Sequence, residues 1–94
     1  MTQFSVVISK PAQIEIQESL MWYNERSNLA HQKLLTEIDD SIKGLTQNPF
    51  LHSIKYKDVR SVMLKRFPYS FYYIIKQEEI RIISFFHHRR KPVN

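Results

Sequence analysis

The sequence contains no cysteine and only one glycine in 94 residues. Without cysteine, neither disulfides nor a thiol nucleophile can contribute to the fold or its chemistry. One glycine cannot supply the glycine-rich loops that cradle phosphate groups in nucleotide-binding proteins. The first residues lack the basic and apolar segments of a secretory leader, and no apolar run approaches the roughly 20 residues that span a bilayer. We therefore expect a cytoplasmic protein with no contact to a membrane.

Metal binding also has no support in the sequence. The adjacent residues His87 and His88 lack cysteines or carboxylates at the spacing that metal ligands need. We therefore expect no metal ion and no other cofactor.

Length and composition fit one small globular domain over residues 1–94. The chain is 43% hydrophobic and 13% aromatic, which is enough for one compact core but not for two. Its charge is uneven. Residues 1–53 carry four Lys/Arg against six Asp/Glu, whereas residues 54–94 carry ten against three. A basic half suits contact with a nucleic acid or an acidic protein, although a merely solvated basic surface has the same composition.

The first part of the chain predicts a strand followed by a helix. Residues 4–8 are rich in β-branched side chains, which favour a strand. Ser9 is a candidate N-cap, and Pro11 is tolerated in a first helical turn. Apolar residues then recur at helical spacing from Ala12 to Tyr23, so the helix should end near residues 26–28.

A second helix is predicted directly after the first. Asn28 is its candidate N-cap, and apolar residues recur at steps of three and four between residues 34 and 45. Gly44 lies late in this helix, where it indicates either close packing or fraying. Pro49 ends the helix. Two helices joined by so few residues should form an antiparallel hairpin.

From Val59 the pattern changes to that of strands. Three runs, at residues 59–67, 69–76 and 80–87, are separated by short connections, which predicts an antiparallel meander. The first strand must join the same sheet to satisfy its backbone groups. The sequence thus predicts an α+β fold of order β-α-α-β-β-β, with the helical hairpin packed on one face of a mostly antiparallel four-stranded sheet.

The last two strands barely alternate between apolar and polar residues. An antiparallel sheet with one wet face should alternate, yet both faces here carry large apolar groups. Two helices can cover only one face, so we expect a binding partner on the other, with self-association or coverage by the chain's own tail as alternatives. Tyr72 and Phe85, one from each strand, are candidate partner-binding residues.

Several landmarks together point to a known family. They are Trp22-Tyr23 in the first helix, Arg60 at the start of a strand, the segment Phe67-Pro68-Tyr69 before an aliphatic strand, and the basic end at residues 87–91. In this order and spacing the chain resembles the RelE/ParE toxin superfamily of bacterial type II toxin–antitoxin systems. The resemblance covers almost the whole chain and is closer to ParE-like members.

The resemblance implies a toxin that a cognate antitoxin neutralises by wrapping around it, in a hetero-oligomer. ParE-like members poison DNA gyrase without hydrolysis, whereas RelE-like members are mRNA interferases that act on the ribosome. Ser70 stands where RelE-like nucleases carry a basic residue, and the last three residues contain no counterpart of RelE's C-terminal tyrosine. These departures favour the ParE-like activity over the nuclease. A member that has lost toxicity and survives as a binding module is a second alternative.

A nuclease would need acid–base groups and cations around one phosphate. His87 and His88 are the candidate acid–base groups, but successive strand residues face opposite ways, which weakens a mechanism that uses both. The candidate catalytic cations are Arg81, Lys65 and Arg66. The candidate phosphate contacts are Arg60, Arg89, Arg90 and Lys91. Arg60 has an alternative interpretation, in which it pairs with Asp58 or Glu37 to fix the sheet edge.

A ParE-like toxin would instead use its helices and basic tail as a protein-docking surface. Trp22 and Tyr23 are large aromatic residues of the kind that anchor interfaces. Tyr23 lies on the apolar line that faces the core, so Trp22 should point away from it. Trp22 is therefore the better candidate for a partner contact, with ordinary packing as the alternative for both.

Overall fold

The computed structural model describes residues 4–89. Over these residues the elements are β1 (Ser5–Ile8), α1 (Lys10–Arg26), α2 (Asn28–Gln47), β2 (Ile54–Tyr56), β3 (Val59–Met63), β4 (Tyr69–Lys76) and β5 (Glu79–His87). The predicted α+β fold is confirmed. The strand count was wrong by one, because β2 adds a fifth strand. Its three residues are all exposed, and a run of three is shorter than the alternating patterns by which strands are recognised in a sequence.

The strands form one sheet in the order β1-β5-β4-β3-β2. The four strands from β2 to β5 are antiparallel to their neighbours, as the short connections predict. The first strand, β1, joins this sheet as an edge strand and runs parallel to β5. The chain passes from β1 through the helical hairpin and then through β2, β3 and β4 before it returns beside β1 as β5.

Serine side chains begin both helices. The Oγ of Ser9 accepts a hydrogen bond from the Ala12 N–H, which confirms Ser9 as the N-cap of α1. The predicted N-cap of α2 was wrong by one residue. Ser27, not Asn28, has the extended backbone that a cap needs, and its Oγ accepts from the Ala30 N–H at 3.1 Å. The two helices are therefore separated by a single residue, which forces a tight reversal.

Both helices pack against one face of the sheet, which we call the inner face. The opposite side is the outer face. The core lies between the helices and the sheet. Its members from α1, α2, β4 and β5 are at most 5% exposed, and they are Ala12, Leu34, Ile38, Leu45, Tyr69, Phe71, Tyr73, Ile80, Ile82 and Phe85.

A β-bulge in β5 explains why its sequence does not alternate. Tyr73 lies opposite Ile82, whereas Tyr72 lies opposite Ser84, so Ile83 is an extra residue in β5. The extra residue shifts the side-chain alternation by one position. Ile82 and Phe85 therefore both face the core, although a regular strand would place them on opposite faces.

The bulge and the short β1 leave backbone groups of β5 unpaired on one side. A carboxylate from α1 satisfies one of them, because Glu15 Oε1 accepts a hydrogen bond from the Phe85 N–H at 2.9 Å. This bond fixes the strand directly before the two histidines at its end. None of the helices within residues 4–89 is both long and apolar enough to cross a membrane.

Candidate functional site

The two candidate histidines lie at the same end of the sheet but on opposite faces. His87 pairs with Tyr69 and makes an edge contact with its ring on the inner face. His88 lies on the outer side, where its ring contacts that of Phe86. The opposite orientation expected for neighbouring strand residues is therefore present, and the two imidazoles cannot act together on one substrate.

On the inner side, His87 lines a small cavity of about 160 Å³, which we call the Trp22 pocket. Its walls combine aromatic rings from α1 and β4 with two basic residues from the end of β5. The lining residues are Trp22, Tyr23, Tyr69, His87 and Arg89. Within this small space, aromatic surface and positive charge are available to the same ligand.

The two aromatic residues of α1 are placed as the helical pattern predicts. Tyr23 is half-buried and makes an edge contact with Phe67, at 5.2 Å between ring centroids. Trp22 is 45% exposed. The Arg26 guanidinium lies 3.7 Å from the centroid of the indole ring and also donates to the Trp22 carbonyl. Trp22 is thus held in one orientation by packing and a cation–π contact before any partner binds.

A larger cavity of about 460 Å³ lies on the outer face, and we call it the outer cleft. Tyr72 and Phe86 line it with rings whose centroids are 4.6 Å apart. His52 and Lys55, from the segment at the β2 edge, line the same cleft, and His88 lies at the end where β5 finishes. None of its lining residues is acidic.

His88 is fixed in this cleft by a partner that sequence reasoning did not identify. Its Nε2 lies 2.7 Å from the Oγ of Ser70, which is 2% exposed. The His88 N–H also donates to the Pro68 carbonyl. In the sequence, Ser70 marks only a departure from the nuclease pattern. The two residues are 18 positions apart in the sequence. Only the register between β4 and β5 brings them together, and local sequence patterns do not predict that register.

Arg81 does not join the histidines. It lies near the start of β5, seven residues before His88, which corresponds to about 23 Å along a strand. Its guanidinium forms an ion pair with Glu79. The prediction that Arg81 and the histidines share one catalytic site is therefore wrong, because they occupy opposite ends of the same strand.

Lys65 and Arg66 lie in the connection between β3 and β4, at the same end of the sheet as the histidines. Both residues are exposed. The Arg66 backbone N–H donates to both carboxylate oxygens of Glu37 in α2, at 3.0 and 3.2 Å. The connection is thus anchored to the helices through its backbone, which leaves both basic side chains available to a partner.

Arg60 has a structural contact rather than a phosphate-binding position. One guanidinium nitrogen donates to the carbonyls of Phe50 and His52, at 3.4 and 2.7 Å, which fixes the segment before β2. The alternative pairing with Asp58 or Glu37 is not observed either. Arg60 also lies near Tyr73, whose pKa is raised by burial and lowered to a smaller extent by this positive charge.

The remaining basic candidates lie at the C-terminal end. Arg89 is exposed, and its backbone N–H donates to His87 Nδ1 at 3.0 Å, which closes a turn directly after β5. Arg90 and Lys91 lie outside the described residues. Across residues 4–89, no three His, Cys, Asp or Glu side chains are grouped so that they could hold a metal ion.

The two candidate partner contacts in the last strands, Tyr72 and Phe85, differ in exposure. Tyr72 is half-buried on the outer face and remains accessible from the cleft. Phe85 was a wrong prediction, because it is 1% exposed and stacks on Tyr69 in the core at 4.7 Å between centroids. The bulge at Ile83 turns Phe85 inward and places Phe86 on the outer face instead.

The architecture is shared with a toxin–antitoxin system. A solved structure of the chromosomal ParDE TA system from P. aeruginosa superimposes with a TM-score of 0.78 at 20% sequence identity, and the match covers 90% of this chain and 96% of that chain. No curated protein sequence matches this chain. Residues 6–92 match the family described as the ParE toxin of the type II toxin–antitoxin system parDE. This chain belongs to the ParE toxin family.

Proposed function

We propose that this toxin inhibits DNA gyrase by binding to it and that it does not hydrolyse RNA. The observation that carries the choice is the separation of the candidate catalytic groups. His87 and His88 lie on opposite faces, and Arg81 lies at the far end of β5 in an ion pair with Glu79. Cleavage of RNA requires a base, an acid and a cation around the same phosphate. That separation supports a binding toxin over a ribosome-dependent mRNA interferase.

The contact surface that we propose for the target is centred on the Trp22 pocket. Fixed aromatic side chains with an arginine nearby are the residues that most often dominate binding energy at interfaces. Trp22 is held by Arg26 and is still accessible, and Arg89 supplies positive charge at the opposite wall. Leu29 is a further exposed apolar side chain on the same helical hairpin.

We also propose that a cognate antitoxin binds and neutralises this toxin as a hetero-oligomer. Exposed apolar residues occur on both the helical hairpin and the sheet, among them Leu35, Met63 and Ile83. A monomer rarely leaves so much apolar surface in water, and a partner that covers it would also stabilise the small domain by mass action. The ParDE name of the related structure describes such a pair for that protein.

A gyrase supercoiling assay with the purified chain tests the target. We expect the chain to inhibit supercoiling or to trap cleaved DNA, and we expect Trp22→Ala to weaken inhibition by about tenfold or more, as for the loss of an interface anchor. Met21→Ala is the matched control, since Met21 is exposed beside Trp22 but does not line the pocket. Circular dichroism should confirm that both variants remain folded.

The opposite result is equally clear. The proposal fails if gyrase is unaffected while a translating ribosome preparation accumulates cut mRNA. An unaffected gyrase with intact mRNA would instead favour a non-toxic binding module of the same fold.

A further inference from the structure

The outer cleft combines features that neither the fold nor gyrase inhibition requires. Tyr72 and Phe86 come from the two central strands, and their rings lie side by side, 4.6 Å apart and half-buried. His88 continues this row, with its ring 6.1 Å from that of Phe86. A row of accessible rings on a sheet surface is the arrangement on which unpaired bases stack, because every base offers a flat π-face.

The side chains that line the cleft around these rings include one lysine and no carboxylate. Lys55 and His52 lie along the side of the cleft near β2, and His88 lies at its end, while no carboxylate lines it. Ser61, on the strand between Tyr72 and β2, adds a hydroxyl group to the same lining. Backbone phosphates would thus meet the Lys55 ammonium group and hydrogen-bond donors, and no carboxylate among the lining residues would repel them.

The cleft is also partly built before a ligand binds. The bond between Ser70 Oγ and His88 Nε2 fixes the imidazole against the sheet, and Ser70 itself is almost fully buried. Arg60 holds the Phe50 and His52 carbonyls, so the wall that carries His52 is fixed as well. A volume of about 460 Å³ is within the range of small-molecule sites and accommodates a nucleotide unit.

We propose that the outer cleft binds single-stranded nucleic acid, with bases stacked on Tyr72 and Phe86 and phosphates held by Lys55, His52 and His88. The proposal is of binding alone, and a single RNA strand should remain uncut in the cleft. The proposal does not depend on the gyrase target, since the cleft and the Trp22 pocket are lined by different residues on opposite faces. An acidic protein segment is the rival occupant of the same charge pattern.

Fluorescence anisotropy with a labelled single strand of about eight nucleotides tests this proposal directly. We expect binding of the single strand in preference to a duplex of the same sequence. Tyr72→Leu and Phe86→Leu keep apolar bulk but remove the stacking surface, and each should weaken binding by between about fivefold and a hundredfold. Two separate variants ensure that a folding defect in one does not decide the result.

The electrostatic part has its own readout. Lys55→Gln should lower the affinity. Between roughly 50 and 200 mM salt, it should also make the negative slope of log affinity against log salt shallower by about one. Lys33→Gln removes the same charge from an exposed position on α2 that does not line the cleft, and it should leave that slope nearly unchanged. Trp22→Ala should also leave oligonucleotide binding intact while it weakens gyrase inhibition, which separates this proposal from the previous one.

Three results would overturn the proposal. One is the absence of salt-sensitive binding to the single strand. A second is equal affinity of wild type and both aromatic variants, which would reduce the interaction to general attraction by a basic protein. The third is a glutamate-rich peptide that binds tightly and displaces the oligonucleotide at equal concentration. That result would assign the cleft to an acidic protein partner.

Discussion

Phe85 and Phe86 are neighbours in β5, yet Phe85 is 1% exposed in the core while Phe86 lies half-buried in the outer cleft. The same contrast holds for His87 and His88, which line different cavities on the two faces. On the inner face the helices exclude water and packing sets the residue type. On the outer face, apolar residues are kept although the described chain provides no cover of helices for them. We infer that the inner face stabilises the fold and that the outer face is retained for binding.

The largest expected effect compares the two phenylalanines. Phe85→Ala should lower the free energy of unfolding by about 3 to 5 kcal/mol, because it leaves a cavity between Tyr69 and Phe71. Phe86→Ala should cost only about 1 to 2 kcal/mol, because that side chain already contacts water. Urea denaturation of both variants measures the difference. Equal losses in the two variants would mean that the bulge at Ile83 does not place Phe85, rather than Phe86, in the core.

The next effect concerns the Glu15 carboxylate, which accepts a hydrogen bond from β5 shortly before the two histidines. Glu15→Ala removes the acceptor of the Phe85 N–H and should cost about 1.5 to 3 kcal/mol, as for a hydrogen bond to a charged group. Glu18→Ala, an exposed change on the same helix, should cost less than about 0.5 kcal/mol. Denaturation and amide exchange at Phe85 provide the measurement. An unchanged exchange rate in Glu15→Ala would show that this contact does not hold the strand.

Tyr73 links the inner face to the end of α2. Its buried hydroxyl donates to the Pro49 carbonyl at 2.7 Å, so Tyr73→Phe should cost about 1 to 2 kcal/mol. The exposed Tyr56 offers the control Tyr56→Phe, which should cost almost nothing. Comparison of the two variants by thermal and urea unfolding isolates the buried hydrogen bond.

Tyr73 should also make the free energy of unfolding depend on pH, and the direction of its pKa shift fixes the sign of that dependence. Burial raises the pKa of Tyr73 above its ordinary value of 10.0, so the unfolded chain loses this proton at a lower pH than the folded chain. Its contribution to stability is complete below pH 10 and is lost as the pH rises through the folded pKa. Unfolding free energies measured on both sides of pH 10 should fall less steeply in Tyr73→Phe. Identical slopes would contradict this role of burial.

The smallest effect is a gain. A Cβ added at Gly44 would meet nothing within 4 Å, so close packing does not explain this glycine. Gly44→Ala should raise the free energy of unfolding by about 0.5 to 1 kcal/mol, because alanine loses less backbone entropy in a helix. A thermal unfolding curve measures the gain. A loss instead would indicate that α2 needs flexibility at its C-terminal end.

The sequence predicted the parts of this fold that depend on local patterns. Ser9 and the apolar spacing of α1 predicted the first helix, and the two α1 aromatics were assigned to the correct sides. Strand β4 was predicted with its observed bounds, because Pro68 and the turn after Lys76 limit it clearly. These features depend on neighbours within a few positions, where side-chain periodicity and capping act.

The site could be predicted only in part, because it depends on pairing between distant segments. The bulge at Ile83 has no local signal and reverses the assignment of Phe85. The bond between Ser70 and His88 requires the register of two strands, and the contacts of Arg60 require the path of the chain before β2. Composition indicated a basic half of the chain, but it could not place Arg81 at the opposite end of β5 from the histidines.

The most direct test of the central claim is pulse labelling of DNA and protein synthesis in bacteria within minutes of inducing this chain alone. Inhibition of gyrase without RNA cleavage predicts that DNA synthesis falls first and that His88→Ala leaves this fall nearly intact. An early fall in protein synthesis, abolished by His88→Ala, would contradict the account and restore the nuclease.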